Sequence, residues 1–366
     1  MKKSILALAT LPVLLLGACS DDEPVNILQD EPHEAISFRP SMAGVSRATE
    51  VTNANLPSVT VTALLNGQNY FTNLLFSKDN TGFFNSTKPY YWPGDNSSID
   101  FYAYYPDMDT MGADVTVDNT TKEITNFTVA EQIADQVDLI TAHATGNQKA
   151  NEASGVPLEF KHRLAQIEIR AKSSNPSYKV TVVGARIGRA QTTGTFNMAD
   201  SSWTMDEWHD TNVWDAVCDP VELTPDPVSV MGEAGNAMMI PQTLYVWNPT
   251  GDPDNAARMA YLAVRVRIVS DTGVQLYPFP GEDEHTAQLY HHTDGYAWTA
   301  VPLSTTWEQG KKYIYNLDFT NGGGYVDPDD PTPGKPVIGG SIKVVPEVTE
   351  WSESDIDVPM TTTTTK

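Results

Sequence analysis

The sequence predicts an all-β protein built as two tandem antiparallel β-sandwich domains, and three observations carry that expectation. Short alternating or β-branched apolar runs recur along the chain. Clusters of Asn, Asp, Gly and Pro separate them, which is strand-and-turn punctuation. No stretch keeps a 3.6-residue apolar spacing for more than about two helical turns. Many short strands with one polar face favour antiparallel sandwiches. A chain of 366 residues is long enough for two domains that each bury a core.

The elements follow in order. Lys2 and Lys3 precede an apolar run, Ile5 to Leu16, which is too short to span a hydrocarbon core of about 30 Å as a helix. Residues 1–18 therefore read as a secretory signal peptide. Leu16-Gly17-Ala18-Cys19 resembles a bacterial lipobox, making Cys19 the lipidation site, and the acidic residues 20–35 read as a tether from the membrane. The first domain is expected over 48–150. Its strands include Val59–Leu64, Val115–Val117 and the aromatic run Ile99–Tyr105, closed by Pro106. The polar stretch 145–155 reads as the linker. The second domain, 151–320, holds alternating runs at Leu158–His162, Ile167–Ala171, Tyr178–Val182 and Leu262–Ile268. Residues 321–366 read as a Gly/Pro-rich loop, a last strand from Ser341 to Val345 and a low-complexity tail.

Charge removes one class of partner. With 47 acidic against 23 basic residues the net charge is −24, so a nucleic-acid backbone would be repelled rather than bound. The apolar and aromatic content is too high for a disordered chain. Of two cysteines, Cys19 is assigned to lipid, which leaves Cys218 without a disulfide partner.

Several segments, in this order, resemble the fimbrillin family of surface pilus subunits. Ile36-Ser37-Phe38 followed by Ser46-Arg47-Ala48 is similar to the family's leader and processing region. Tyr90-Tyr91-Trp92-Pro93 leading into Ile99–Pro106 is the most specific match. Asp138-Leu139-Ile140, Leu158–Ala165, Met239-Ile240-Pro241-Gln242 and Trp307–Tyr313 extend the likeness across the chain. The resemblance implies two tandem transthyretin-like antiparallel β-sandwich domains. It implies a lipoprotein of the outer membrane, exposed at the surface and located in the fimbrium after processing. It also makes residues 19–47 a lipidated tether with a removable leader strand, and implies a mechanism in which a protease cuts between Arg47 and Ala48 and that strand departs. A strand of another pilus subunit then enters by β-strand addition. The donor strand would be carried by Ile342, Val344 and Val345, although Pro346 interrupts that run. Partners are then other pilus subunits, the outer membrane through lipid, and a host or bacterial surface receptor or glycan.

The remaining candidates are weaker. There is no HExxH, GxSxG, P-loop or CxxC pattern, so no catalytic residue, metal or other cofactor is expected. Asp206–Asp210, Glu282–His285 with His291 and His292, and Asp327 with Asp329 and Asp330 are ligand-rich but read as solvated loops. An EF-hand begun at Asp327 would put Thr332 at its glycine position and Ile338 at its terminal glutamate. His162 shares a face with Leu158 and Phe160 and reads as a packing histidine. Tyr90, Tyr91, Trp92, Trp203, Trp208 and Trp298 would stack on sugar rings if exposed, and they carry the rival reading, a monomeric glycan-binding surface lipoprotein.

Overall fold

In the computed structural model the residues described are 34–42, 51–205, 211–251, 259–339 and 341–351. The first part of the chain supplies β1 (Phe38–Met42), β2 (Ser58–Leu65), β3 (Gln68–Lys78), β4 (Phe84–Asn85) and β5 (Ile99–Tyr105). Next come β6 (Asp114–Val117), β7 (Lys122–Thr128), β8 (Ile140–Gly146) and β9 (Val156–His162). The middle supplies β10 (Ala165–Lys172), β11 (Tyr178–Gln191), β12 (Thr193–Asn197), β13 (Ser202–Met205), β14 (Thr211–Glu222), β15 (Val228–Ser229) and β16 (Ala237–Met239). The last strands are β17 (Tyr261–Ser270), β18 (Gln275–Tyr277), β19 (Ala297–Pro302), β20 (Lys311–Asp318), β21 (Tyr325–Val326) and β22 (Lys343–Glu350). Among the described residues the helices are single turns or little more: α1 (Met108–Met111), α2 (Gln148–Asn151) and α3 (Glu284–Leu289). No helix among the described residues is long and apolar enough to cross a membrane.

The protein is nearly all β, as expected. Seven strands close into a barrel in the order β1-β4-β3-β2-β5-β8-β9. Two further sheets, β15-β10-β20-β22 and β14-β11-β17-β19-β21, enclose the larger core, with β16 beside β10 and β18 beside β17. A four-stranded sheet, β13-β12-β7-β6, draws two strands from each half of the chain. The stretch 145–155 contains the end of β8, α2 and a turn at Gly155 with φ of 69°. The chain changes sheet after His162, where β9 gives way to β10. Two ladders are parallel, β1 with β9 and β10 with β20.

Strands β2 and β5 divide the two cores. Val61, Ala63, Phe101 and Ala103 point into the barrel, while Leu64, Tyr102 and Tyr104 join the larger cluster on the other face. A period of two with both faces covered gives runs that are apolar or aromatic almost throughout. That is why Ile99–Tyr105 stands out in the sequence.

Candidate functional site

The segment expected to be a leader supplies β1, which sits between β4 and β9 in the closed barrel. β1 pairs in parallel with β9, from Phe38 opposite Val156 to Met42 opposite Phe160, and meets β4 at Phe84. The Ile36 N–H donates to the Tyr90 carbonyl at 2.8 Å, and the Val156 N–H to the Ser37 carbonyl at 2.9 Å. Alternate side chains face inward: Ile36, Phe38 and Met42 are buried, with Pro40 between them half-buried. The Phe38 ring sits edge-on to Phe76 at 4.7 Å and to Phe101 at 5.1 Å, an arrangement that adds to simple area burial. Outward, the Arg39 guanidinium lies over Phe83 at 4.5 Å. The chain holds β1 in place largely through these side chains and one ladder.

The C-terminal strand has the opposite character. β22 runs antiparallel to β20 along its full length, from Lys343 opposite Asp318 to Glu350 opposite Lys311. It occupies the end of its sheet. Of the expected donor residues, Ile342 is buried, Val344 packs partly on the core and Val345 is exposed. Val348 is exposed as well. The strand continues through Pro346, because an edge strand can leave a missing N–H on its open side. Among described residues the ends of the segment, Ile342 and Trp351, are its buried anchors. Cys19, Arg47 and Ala48 lie outside the described residues.

The other candidates fall as follows. Glu282 and His292, from one of the clusters above, converge with Asp330 from another: His292 Nδ1 is 3.0 Å from Glu282 Oε2, and its Nε2 is 3.5 Å from Asp330 Oδ2. Burial opposes the charge on His292, but the contacts with Asp330 and Glu282 outweigh it and raise the pKa. Asp327 is wholly buried beside Arg186, at 3.4 Å, and Tyr261, also at 3.4 Å. Burial raises its carboxyl to about 7 against the pull of Arg186, aided by the nearby Asp330 and Asp329. Arg189 pairs with Asp329. The 327–330 loop is thus held by Arg186, Arg189 and His292 instead of lying free in solvent. No group of residues suited to hold a metal ion occurs among those described. Cys218 is half-buried, and burial raises its thiol pKa.

Of the aromatics, Trp92 is buried, Tyr90 packs on Phe71 and the Trp203 indole donates to the Arg163 carbonyl. Trp298 is covered by Arg186, Tyr91 is exposed and Trp208 lies outside the described residues. They form no shared platform among the described residues.

His162 is an inward packing residue in line with Val156, Leu158 and Phe160, as its spacing suggested. What the sequence did not reveal is its partners. Its Nδ1–H donates to Asp138, 2.9 Å from Oδ2, and its ring stacks on Trp351 with centroids 4.2 Å apart and planes 7° from parallel. The Val51 N–H donates to the same Asp138 oxygen at 3.0 Å. Four residues spread over 300 positions meet here, and no local pattern announces such a meeting.

The comparisons with known proteins agree with this architecture. No curated protein matches by sequence. A fimbrial protein from Bacteroides vulgatus is similar in structure, with a TM-score of 0.53 at 15% identity, covering 86% of this chain and 99% of that one. A candidate cell adhesion protein from Bacteroides uniformis gives a TM-score of 0.46 at 14% identity, covering 87% and 98%. The fimbrial anchor protein Mfa2 from Porphyromonas gingivalis gives 0.34 at 11% identity, covering 87% and 98%. At these identities the first likeness supports the fold, and the other two add no argument. The fimbrillin-like family model matches residues 46–351. The chain belongs to the fimbrillin-like family.

Proposed function

We propose that this protein is a structural subunit of an adhesive surface pilus, exported as a lipoprotein through Cys19 and assembled by strand exchange. A protease cuts after Arg47, β1 leaves the barrel, and the C-terminal strand of another subunit takes its place. The observation that carries this reading is β1 itself. It closes the barrel with buried Ile36, Phe38 and Met42, and it lies just before the segment that contains Arg47. Losing it would leave unpaired backbone groups on β4 and β9 and an apolar trench between them, a template for another strand.

The chain supplies a matching filler. Ile36-x-Phe38-x-Pro40-x-Met42 and Ile342-x-Val344-x-Pro346-x-Val348 have the same spacing, with isoleucine first and proline third. A donor entering in the direction of β1 would place Val344 where Phe38 was and Pro346 where Pro40 was. The proline that interrupts the C-terminal run therefore fits the acceptor. Its exposed side chains in the monomer leave β22 with little packing to lose on departure.

Limited trypsin treatment of the purified precursor tests the reading. Polymers that start at Ala48 and run as a ladder on a denaturing gel are expected. An intact leader in the polymers, or a cut protein that remains monomeric, contradicts it.

A further inference from the structure

We infer that Val51, Asp138, His162 and Trp351 form a latch that couples the leader-processing segment to the C-terminal strand, so that cutting the one loosens the other. The inference rests on the strand-exchange reading and adds a control to it.

Asp138 is the centre of the latch. Its carboxylate is fully buried, and its donors are the Val51 N–H at 3.0 Å and the His162 Nδ1–H at 2.9 Å. Val51 is four residues beyond Arg47. On the opposite side, Trp351 directly follows β22, is 5% exposed and lies flat on the His162 ring. The Trp351 N–H also donates to the Gly310 carbonyl at 2.8 Å, which registers the end of β22 against the start of β20. One set of contacts thus joins the segment after the processing site to the residue that directly follows the donor strand.

The physical coupling follows from burial. A buried carboxylate depends on its donors, because the low-dielectric surroundings make an unmet charge costly. While the chain is intact, Val51 is held between the barrel strands β1 and β2 and keeps its N–H on Asp138. After a cut, Ala48–Val51 is a free end and that donor can leave. Asp138 then keeps only the His162 Nδ1–H of these two donors, so the imidazole on which Trp351 lies is fixed less firmly. The indole N–H of Trp351 is buried without a hydrogen-bond partner among the described residues, so the docked ring gives up one hydrogen bond and gains on leaving. Coupling between two sites is reciprocal. Undocking Trp351 must therefore also weaken the hold on Val51.

Two measurements on the full-length precursor test this. First, hydrogen exchange over residues 343–350 is compared before and after the cut at Arg47, in monomers isolated before assembly. Exchange at least several-fold faster after the cut is expected, with the β11–β17 ladder, away from the latch, unchanged. Second, the rate of that cut is compared among the natural protein, Trp351→Ala and Trp351→Phe. Trp351→Ala should be cut several-fold faster, whereas Trp351→Phe, which keeps a ring on His162, should stay close to the natural rate. Unchanged exchange after cutting, or equal rates for Trp351→Ala and the natural protein, overturns the latch. Neither readout depends on polymers. If cut protein polymerises with β22 equally protected beforehand, the latch fails and strand exchange stands. If β22 loosens and no polymer forms, the latch stands and the pilus reading fails.

Discussion

Asp327 shows how much a single side chain sets the chemistry of the C-terminal body. It lies between Arg186, Tyr261 and the backbone N–H of Asp329, with Asp329 and Asp330 adding negative charge nearby. Arg186 is held in turn by two hydrogen bonds to Asp215, at 2.7 and 2.8 Å. Burial raises Asp327 from an ordinary 3.8 to about 7, so the folded protein binds this proton more tightly than the unfolded chain does. Its contribution to stability is present at acid pH and is lost as the pH rises from about 4 towards 7. His292 has a raised pKa and acts with the same sign, since its contribution fades as the pH rises through its folded pKa. Carboxylates held low, such as Glu168 beside Arg170 and Lys312, act with the opposite sign in a more acidic range. The thermal midpoint should therefore decrease as the pH is raised from about 4 to about 7, the range over which Asp327 loses its advantage, with His292 acting in the same direction. Asp327→Asn should flatten that slope in a melting series at fixed salt. A midpoint that rises over this range, or an unchanged slope in the variant, counts against the assignment.

Strands β1 and β22 differ as plug and lash. Phe38 is buried between two aromatic rings, so Phe38→Ala should cost the precursor about 3–5 kcal/mol, as large core truncations do. Val348 is exposed, and Val348→Ala should change stability by less than about 0.5 kcal/mol. Denaturant unfolding of both variants checks this contrast, and similar losses in the two would mean that β22 is packed as firmly as β1. The strands most legible in the sequence were those with an unbroken period. Ile99–Tyr105 matches β5 residue for residue, and Leu158–His162 lies within β9. Others were hidden by residues that serve the sheet rather than the pattern. β11 runs well past the expected Tyr178–Val182 because it passes through Gly184 and Gly188. A Cβ at Gly188 would lie 2.2 Å from the Tyr261 ring, so the glycine there makes room for a neighbouring strand's side chain. β3 reads as polar at its start and contains Asn73 at φ of 46°, where its amide and the Thr62 hydroxyl exchange hydrogen bonds. Pro346 looked like a break and is instead tolerated at an edge.

At the scale of the whole molecule, β1 completes the barrel while β22 lies at the edge of a different sheet. The alternation of β1 was legible because Ile36 and Phe38 keep a period of two. Its parallel pairing with β9 was not, because partner choice is a property of the closed barrel and leaves no local mark. The latch around Asp138 was hidden for the same reason: it joins residues from four distant segments. The chain has the all-β fold of a fimbrillin-like protein, and under the strand-exchange proposal β22 of one subunit takes the place of β1 in the next.

The measurement that tests this most directly is a crosslink across the proposed new ladder. In the β1 register Ser41 lies opposite Glu159, and the matched spacing puts Glu347 where Ser41 was. One population carries Glu347→Cys and another Glu159→Cys, both on a Cys218→Ser background, and they are mixed and cut with trypsin. A short bis-maleimide should then join the two populations, only after the cut and only within polymers. In the monomer Glu347 lies opposite Ile314 on its own β20. Polymers that form without the Glu347–Glu159 link, while Glu347→Cys still joins Ile314→Cys of the same chain, would contradict the account.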